Sequence, residues 1–82
     1  MREIEWAETA LQDMAALDKG IALRLKKAVE RFAATGSGNV KKLQGIDPPE
    51  YRLRVGDNRV RFDLAGEVVR VLRVRNRREA YR

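Results

Sequence analysis

The chain has 82 residues, and its 18 Lys and Arg against 12 Asp and Glu give a net charge of +6. This length is typical of one small domain, so we expect residues 1–82 to fold as a single unit. Cys and His are both missing, which excludes disulfides and thiolate or imidazole metal sites, and the acids are too scattered to predict a metal site. No apolar run could span a membrane, and the acidic N-terminal stretch is not a signal peptide. These features favour a cytoplasmic protein.

The positive charge is concentrated in the C-terminal part of the chain. Residues 51–82 contain ten Arg, no Lys and four acids, whereas residues 1–50 contain eight basic and eight acidic residues. Such an asymmetry predicts an oriented positive surface, which attracts polyanions. Arginine binds phosphate in a bidentate way, so the pattern indicates a partner that carries phosphate.

The first half of the chain predicts one strand and two helices. Residues 2–6 alternate polar and apolar side chains, as in a short strand. Apolar residues then recur at helical spacing from Ala7 to Leu17, and Lys19-Gly20 is expected to end this helix. A second apolar stripe runs from Ile21 to Phe32, and the glycine-rich segment from Gly36 stops it. The short connection predicts an antiparallel helical hairpin.

The second half predicts a loop and three strands. Residues 40–50 contain two consecutive prolines and are expected to form a loop. Beyond them the hydrophobic period changes to two in residues 51–55 and 59–64, which are separated by turn residues. Residues 68–74 form a third strand, and its apolar residues on both faces predict a central position in the sheet.

These elements predict an α+β fold, in which an antiparallel sheet has the helical hairpin packed on one face. Strand alternation then places four arginines on the open face: Arg52, Arg54, Arg59 and Arg61. A face that only contacts solvent would mix in other residues, because like charges on neighbouring strands repel each other. Tyr51 and Phe62 share the phase of the buried residues, so no aromatic platform for stacked bases is expected. Phosphate-backbone binding is the better interpretation.

Three segments together resemble a known family. They are Lys42-Leu43-Gln44-Gly45, the run Tyr51–Asp57 followed by Arg59, and Arg77-Arg78-x-x-Tyr81. The chain is similar over nearly its whole length to the RelE/ParE toxins of type II toxin–antitoxin systems. The RelE branch implies cleavage of mRNA in the ribosomal A site without a cofactor. It also implies a cognate antitoxin, mRNA and the ribosome as partners, and no membrane.

The resemblance assigns roles to individual residues. The catalytic positions would be Arg59 and Arg77, as phosphate clamps, and Tyr81, as proton acceptor from the attacking 2′-hydroxyl. Alternatively, Tyr81 is a packing or surface tyrosine without a catalytic role. The resemblance and the charge pattern add phosphate-binding residues: Arg52, Arg54, Arg61 and Arg78.

Two positions depart from the family pattern. Asn58 stands where the family usually has an aromatic residue, and Asn76 stands where it commonly has His or Lys. Asparagine does not titrate, so any proton transfer at position 76 would be lost. The two alternatives are harmless drift and an attenuated toxin that still folds and binds RNA.

Two other function classes remain open. One is a ParE-like inhibitor of DNA gyrase without nuclease chemistry, which does not need the set of arginines and tyrosine. The other is a non-catalytic module whose arginines hold an acidic antitoxin segment. Residues 43–49 and the sheet edges are candidate docking sites for an antitoxin under every interpretation.

Overall fold

A computed structural model of the protein describes residues 2–76, which form one five-stranded sheet and two helices. In chain order the elements are β1 (Glu3–Trp6), α1 (Glu8–Ala15), α2 (Lys19–Thr35), β2 (Asn39–Lys42), β3 (Tyr51–Val55), β4 (Asn58–Ala65) and β5 (Val68–Asn76). The predicted α+β class is confirmed.

The sheet has the order β1-β5-β4-β3-β2. β5 pairs with β1 on one side and β4 on the other, so the central position predicted for the third C-terminal strand is confirmed. β1 runs parallel to β5, whereas the other three pairings are antiparallel. The prediction of an antiparallel sheet was therefore wrong for β1. An alternating pattern carries no strand direction, and β1 and β5 are too far apart in sequence for a tight turn to impose one.

Part of the predicted loop 40–50 is a strand. β2 pairs with β3 in antiparallel register, with Val40 opposite Leu53. Leu53 is buried and Val40 packs against the core, so a single apolar side chain anchors this edge strand. The prolines lie in the connection between β2 and β3, where they remove no sheet hydrogen bond.

The boundary between the two helices also differs from the prediction. α1 ends at Ala15, and α2 begins at Lys19, so Gly20 lies in the first turn of α2. The carboxylate of Asp18 caps α2 by accepting a hydrogen bond from the Gly20 amide at 3.0 Å. This N-cap accounts for the earlier start of the helix. Gly36 ends α2 in the left-handed conformation, with φ of 74°, as the sequence predicted.

The core lies between α2 and the sheet. The buried residues of α2 include Leu25, Val29 and Phe32, and the Phe32 ring lies 5.0 Å from that of Phe62 on β4. Phe62 also stacks on Tyr51 at 5.5 Å, which confirms that these aromatics face the core. Since Phe62 is almost completely buried, its truncation to alanine should cost about 3–5 kcal/mol.

α1 does not pack beside α2 on the sheet face in the way a simple hairpin would. It contacts mainly β5, whereas α2 contacts β1 and β3. The last backbone hydrogen bond between the β1 end and β5 runs from the Ala7 amide to the Val71 carbonyl. Beyond it, the Thr9 hydroxyl donates to the Leu72 carbonyl at 2.7 Å, and Asp13 accepts from the Val74 amide at 2.9 Å. Side chains of α1 thus satisfy the edge of β5 where β1 ends.

Candidate functional site

The strand register arranges the arginines of the open face in two rows across the sheet. In the first row, Arg61 lies between Arg52 on β3 and Arg73 on β5. In the second row, Arg59 lies between Arg54 and Arg75 on the same strands. The predicted grouping of the first four arginines is confirmed, and β5 adds two more. We call this set the arginine face: Arg52, Arg54, Arg59, Arg61, Arg73 and Arg75.

A β-bulge brings the arginines of β5 into these rows. Arg61 pairs with Arg73, but the next residue of β4, Phe62, pairs with Val71. Leu72 is therefore the extra residue of β5. The adjacent apolar pair at positions 71 and 72, which in the sequence resembles a strand buried on both faces, reflects this bulge. Without it, positions 73 and 75 would fall on the helix side of the sheet.

Among residues 2–76, two members of the arginine face have a carboxylate partner. Arg61 pairs with Glu50 at 2.6 Å, and Arg73 pairs with Asp13 at 2.9 Å. Among residues 2–76, no carboxylate forms an ion pair with the other four, which are Arg52, Arg54, Arg59 and Arg75. Four adjacent guanidinium groups without such an ion pair form a surface of positive potential, which favours a bound anion.

Asp13 fixes the position of the outermost arginine in the first row. Its carboxylate accepts hydrogen bonds from Arg73 Nε and from the Val74 amide, both at 2.9 Å. Burial raises the pKa of Asp13, but the hydrogen bonds from Arg73 and Val74 and the charges of Arg73 and Arg75 outweigh it, so the pKa is lowered overall. The hydrogen bond and charge of Asp13 raise the pKa of Arg73 in turn. This pair therefore stays ionised at neutral pH.

Glu50 fixes the position of Arg61, the central arginine of the first row, in the same way. Its Oε1 accepts a hydrogen bond from an Arg61 terminal nitrogen, and its backbone carbonyl accepts one from the Leu43 amide at 2.9 Å. Glu50 thus joins Leu43 of the β2–β3 connection to Arg61 of the arginine face. Neither Glu50 nor Asp13 was identified from the sequence, because both act on arginines that are distant in the chain.

The β2–β3 connection and the arginine face enclose a cleft of about 380 Å³. One side carries Leu43, Gln44 and Ile46. The other side is arginine, with side chains from both rows: Arg52, Arg59, Arg61 and Arg75.

The two asparagines that depart from the family pattern lie on the other face of the sheet. Asn58 pairs with Val55 across the β3–β4 hairpin and with Asn76 on β5, and it is only 8% exposed. Asn76 Nδ2 donates to Asn58 Oδ1 at 3.2 Å. The two residues therefore satisfy each other at the end of the helix-side face.

Three predicted site residues lie outside the described residues: Arg77, Arg78 and Tyr81. Within residues 2–76, no group of three His, Cys, Asp or Glu side chains is placed to hold a metal ion. Neither described helix combines the length and hydrophobicity that crossing a membrane requires.

This mixed sheet, with α2 packed on one face and arginines on the other, is shared with solved structures of small bacterial and archaeal toxins. The RelE–RelB complex from Pyrococcus horikoshii OT3 superposes with a TM-score of 0.77 at 20% identity, covering 93% of this chain and 94% of that one. The intact RelBE toxin–antitoxin complex of E. coli gives 0.74 at 19% identity, with coverages of 93% and 96%. These two similarities show the shared fold.

Sequence similarity narrows the class to a family. The family described as the ParE toxin of type II toxin–antitoxin systems, parDE, matches residues 4–81. The RelB–RelE complex from Methanococcus jannaschii is similar at 26% identity over 94% of both chains, with a TM-score of 0.77. The chain belongs to the RelE/ParE superfamily of type II toxins, as its sequence motifs suggested. A comparison with curated proteins gave no match.

Proposed function

We propose that this toxin is an endoribonuclease of the RelE type that cleaves mRNA on translating ribosomes in the cytoplasm. The observation that carries the proposal is the double row of arginines on the open face, of which four have no carboxylate partner among residues 2–76. Such a surface binds a phosphate backbone without the need for aromatic stacking. The relatives with this fold include RelE toxins, which supports the nuclease branch.

The reaction needs positioning, charge neutralisation and two proton transfers. The 2′-oxygen of the RNA attacks the adjacent phosphorus, the bond to the 5′-oxygen breaks, and the proton lost by the 2′-hydroxyl is balanced by one gained at the leaving oxygen. Arg59 and Arg77 would neutralise the crowded phosphate, with Arg52 and Arg54 as electrostatic support. Tyr81 would accept the first proton, a role that requires its ionised form and that neighbouring cations would favour.

Asparagine at positions 58 and 76 is part of this proposal. An asparagine side chain does not titrate, and general acid–base catalysis contributes about 10²–10⁴-fold, so loss of a titrating group here would attenuate the toxin only if that group reached the RNA. Both side chains lie on the helix-side face and bond to each other, and Asn58 is only 8% exposed, which favours harmless drift over attenuation. We therefore expect Asn76→His alone to leave growth inhibition on expression near that of the wild type. A strong rise in growth inhibition would support attenuation instead.

The partner that controls such a toxin would be a cognate antitoxin. RelE relatives are solved as complexes with RelB. An acidic antitoxin segment that folds on binding would neutralise the unpaired arginines and block access to RNA. Residues 43–49 and the edge strands β1 and β2 are the remaining candidate contacts.

In-vitro translation followed by primer extension tests the proposed activity. The wild type should produce cuts within codons of translated mRNA, and Arg59→Ala should lose most of them. Arg70→Ala, which removes an arginine from the same sheet face outside the two rows, is the matched control and should keep them. An SOS response without mRNA cuts would instead support a gyrase inhibitor.

A further inference from the structure

The cleft beside the arginine face combines a cationic surface with an apolar one. Its arginine side includes three side chains without a carboxylate partner among residues 2–76, namely Arg52, Arg59 and Arg75. Its other side carries the aliphatic side chains of Leu43 and Ile46. At about 380 Å³ the cleft falls within the range of small-ligand sites, which is roughly 300–1,000 Å³.

Leu43 and Ile46 are not accounted for by the core. Both are only half-buried, and neither belongs to the hydrophobic cluster that the described residues form between α2 and the sheet. Apolar side chains held at the surface next to uncompensated cations suit a ligand that carries an anion and a flat apolar group together. A nucleotide has this combination, because its base is joined through the sugar to a phosphate.

The aliphatic side of the cleft is held in place relative to the arginines. The Leu43 amide donates to the Glu50 carbonyl, which closes the β2–β3 connection at its base. The Glu50 carboxylate binds Arg61 at 2.6 Å, and Arg61 lines the same cleft. Glu50 therefore sets the distance between the two sides, so that a base and its phosphate can be bound together at low ordering cost.

We propose that this cleft is a nucleobase subsite, in which Leu43 and Ile46 contact one face of a base while Arg52 and Arg59 hold the neighbouring phosphate. Gln44, which is exposed and lines the cleft, offers an amide donor and an acceptor to the base edge. The subsite rests on the proposed function in that its ligand is RNA. It gives the toxin a way to favour certain bases, which the phosphate contacts cannot provide.

The test separates base binding from phosphate binding. The probe is a fluorescent trinucleotide with 2′-O-methyl groups, which cannot be cleaved, and a matched trinucleotide that lacks the central base but keeps its phosphates. For the wild type, the intact probe should bind about tenfold more tightly than the abasic one, since burial of one face of a base against two aliphatic side chains contributes on this order. The double change Leu43→Ala and Ile46→Ala should abolish this difference and leave the affinity for the abasic probe unchanged.

Leu23→Ala is the matched control, because Leu23 is an aliphatic side chain of α2 that is 52% exposed and does not line the cleft. It should bind both probes as the wild type does. Urea unfolding of each variant identifies a change in stability. Gln44→Ala alters only an exposed side chain, so it keeps the test valid if the double variant folds poorly. It should change the preference among A-, C-, G- and U-centred probes without altering abasic binding.

Equal losses for intact and abasic probes, or an intact probe that binds no better than the abasic one, would overturn the subsite. The binding measurement requires no cleavage. A base effect in a protein that fails to cut translated mRNA would therefore contradict the nuclease proposal and leave the subsite standing. Cleavage of translated mRNA by a protein that shows no base effect would support the nuclease proposal and overturn the subsite.

Discussion

The open face of the sheet has two ends that differ in how their arginines are compensated. At the β1 end, Arg70 makes a bidentate pair with Asp63 at 2.7 and 2.6 Å, and Glu5 lies beside it on β1. The hydrogen bond and charge of Asp63, with that of Glu5, raise the pKa of Arg70. At the β3–β4 end, Arg54 and Arg59 have no carboxylate partner among residues 2–76.

The difference separates structural arginines from those available to a ligand. All of these residues lie on one face and follow the same alternation, so position on a strand does not distinguish them. The arginines differ in whether they pair with a carboxylate. This matters because a guanidinium already bound to a carboxylate has fewer donors left for phosphate. We therefore expect the two ends to respond differently to the same substitution.

The largest effect is expected for cleavage when an arginine of the uncompensated end is removed. Arg59→Ala should lower the rate of mRNA cleavage about 10²–10³-fold, because a group that stabilises developing charge in the transition state is lost. Primer extension over a time course measures this rate.

Arg70→Ala provides the comparison at the compensated end. It leaves Asp63 without its partner and should lower the free energy of unfolding, while the cleavage rate of the folded fraction stays near that of the wild type. Similar losses of cleavage in both variants would show that the whole face, rather than its uncompensated end, contacts RNA.

The next effect concerns stability at the boundary of the arginine face. Asp13→Ala removes the acceptor of the Val74 amide and the partner of Arg73. We expect a loss of about 1–2 kcal/mol in the free energy of unfolding, because the pair is partly exposed and solvent screens it. Urea unfolding measures the loss. Glu30→Ala, which removes an exposed acid from α2, should change stability little.

The lowered pKa of Asp13 also predicts that the free energy of unfolding depends on pH. Its pKa is lowered in the folded protein, so the unfolded chain binds the proton more readily. Asp13 therefore makes its full contribution to the free energy of unfolding above its unfolded-state pKa of about 3.9. This contribution is lost as the pH falls through the lower pKa of the folded state. Urea unfolding between neutral pH and pH 3 should show a steeper acid loss for the wild type than for Asp13→Ala. Parallel curves would contradict the assignment.

The smallest effect is expected when the compensated end is converted into an uncompensated one. Asp63→Asn leaves Arg70 charged but without its carboxylate, which extends the positive surface. The logarithmic salt dependence of binding to single-stranded RNA should steepen by up to about 0.7. Cleavage should not rise, because the added cation lies away from the two rows. An unchanged salt slope would show that RNA does not reach this end.

Several elements followed from local sequence patterns. The period-two alternation of β3 and β4 predicted which side chains face the core, because successive residues of a strand point to opposite sides. Gly36 predicted the end of α2 through its conformational freedom. Local patterns failed for β2, which has one core residue and depends on pairing with β3.

For the candidate site, the sequence by itself determined that Arg52, Arg54, Arg59 and Arg61 would share one face, because alternation is a property of each strand. It did not determine which arginines of this face pair with a carboxylate. Asp13 and Glu50 lie on α1 and at the β2–β3 connection, and only the folded chain brings them to Arg73 and Arg61. The tertiary structure likewise decided the parallel pairing of β1 and the bulge that adds the arginines of β5. Ion pairs and strand pairings join residues distant in the chain, and their energies depend on distances that a linear pattern does not contain.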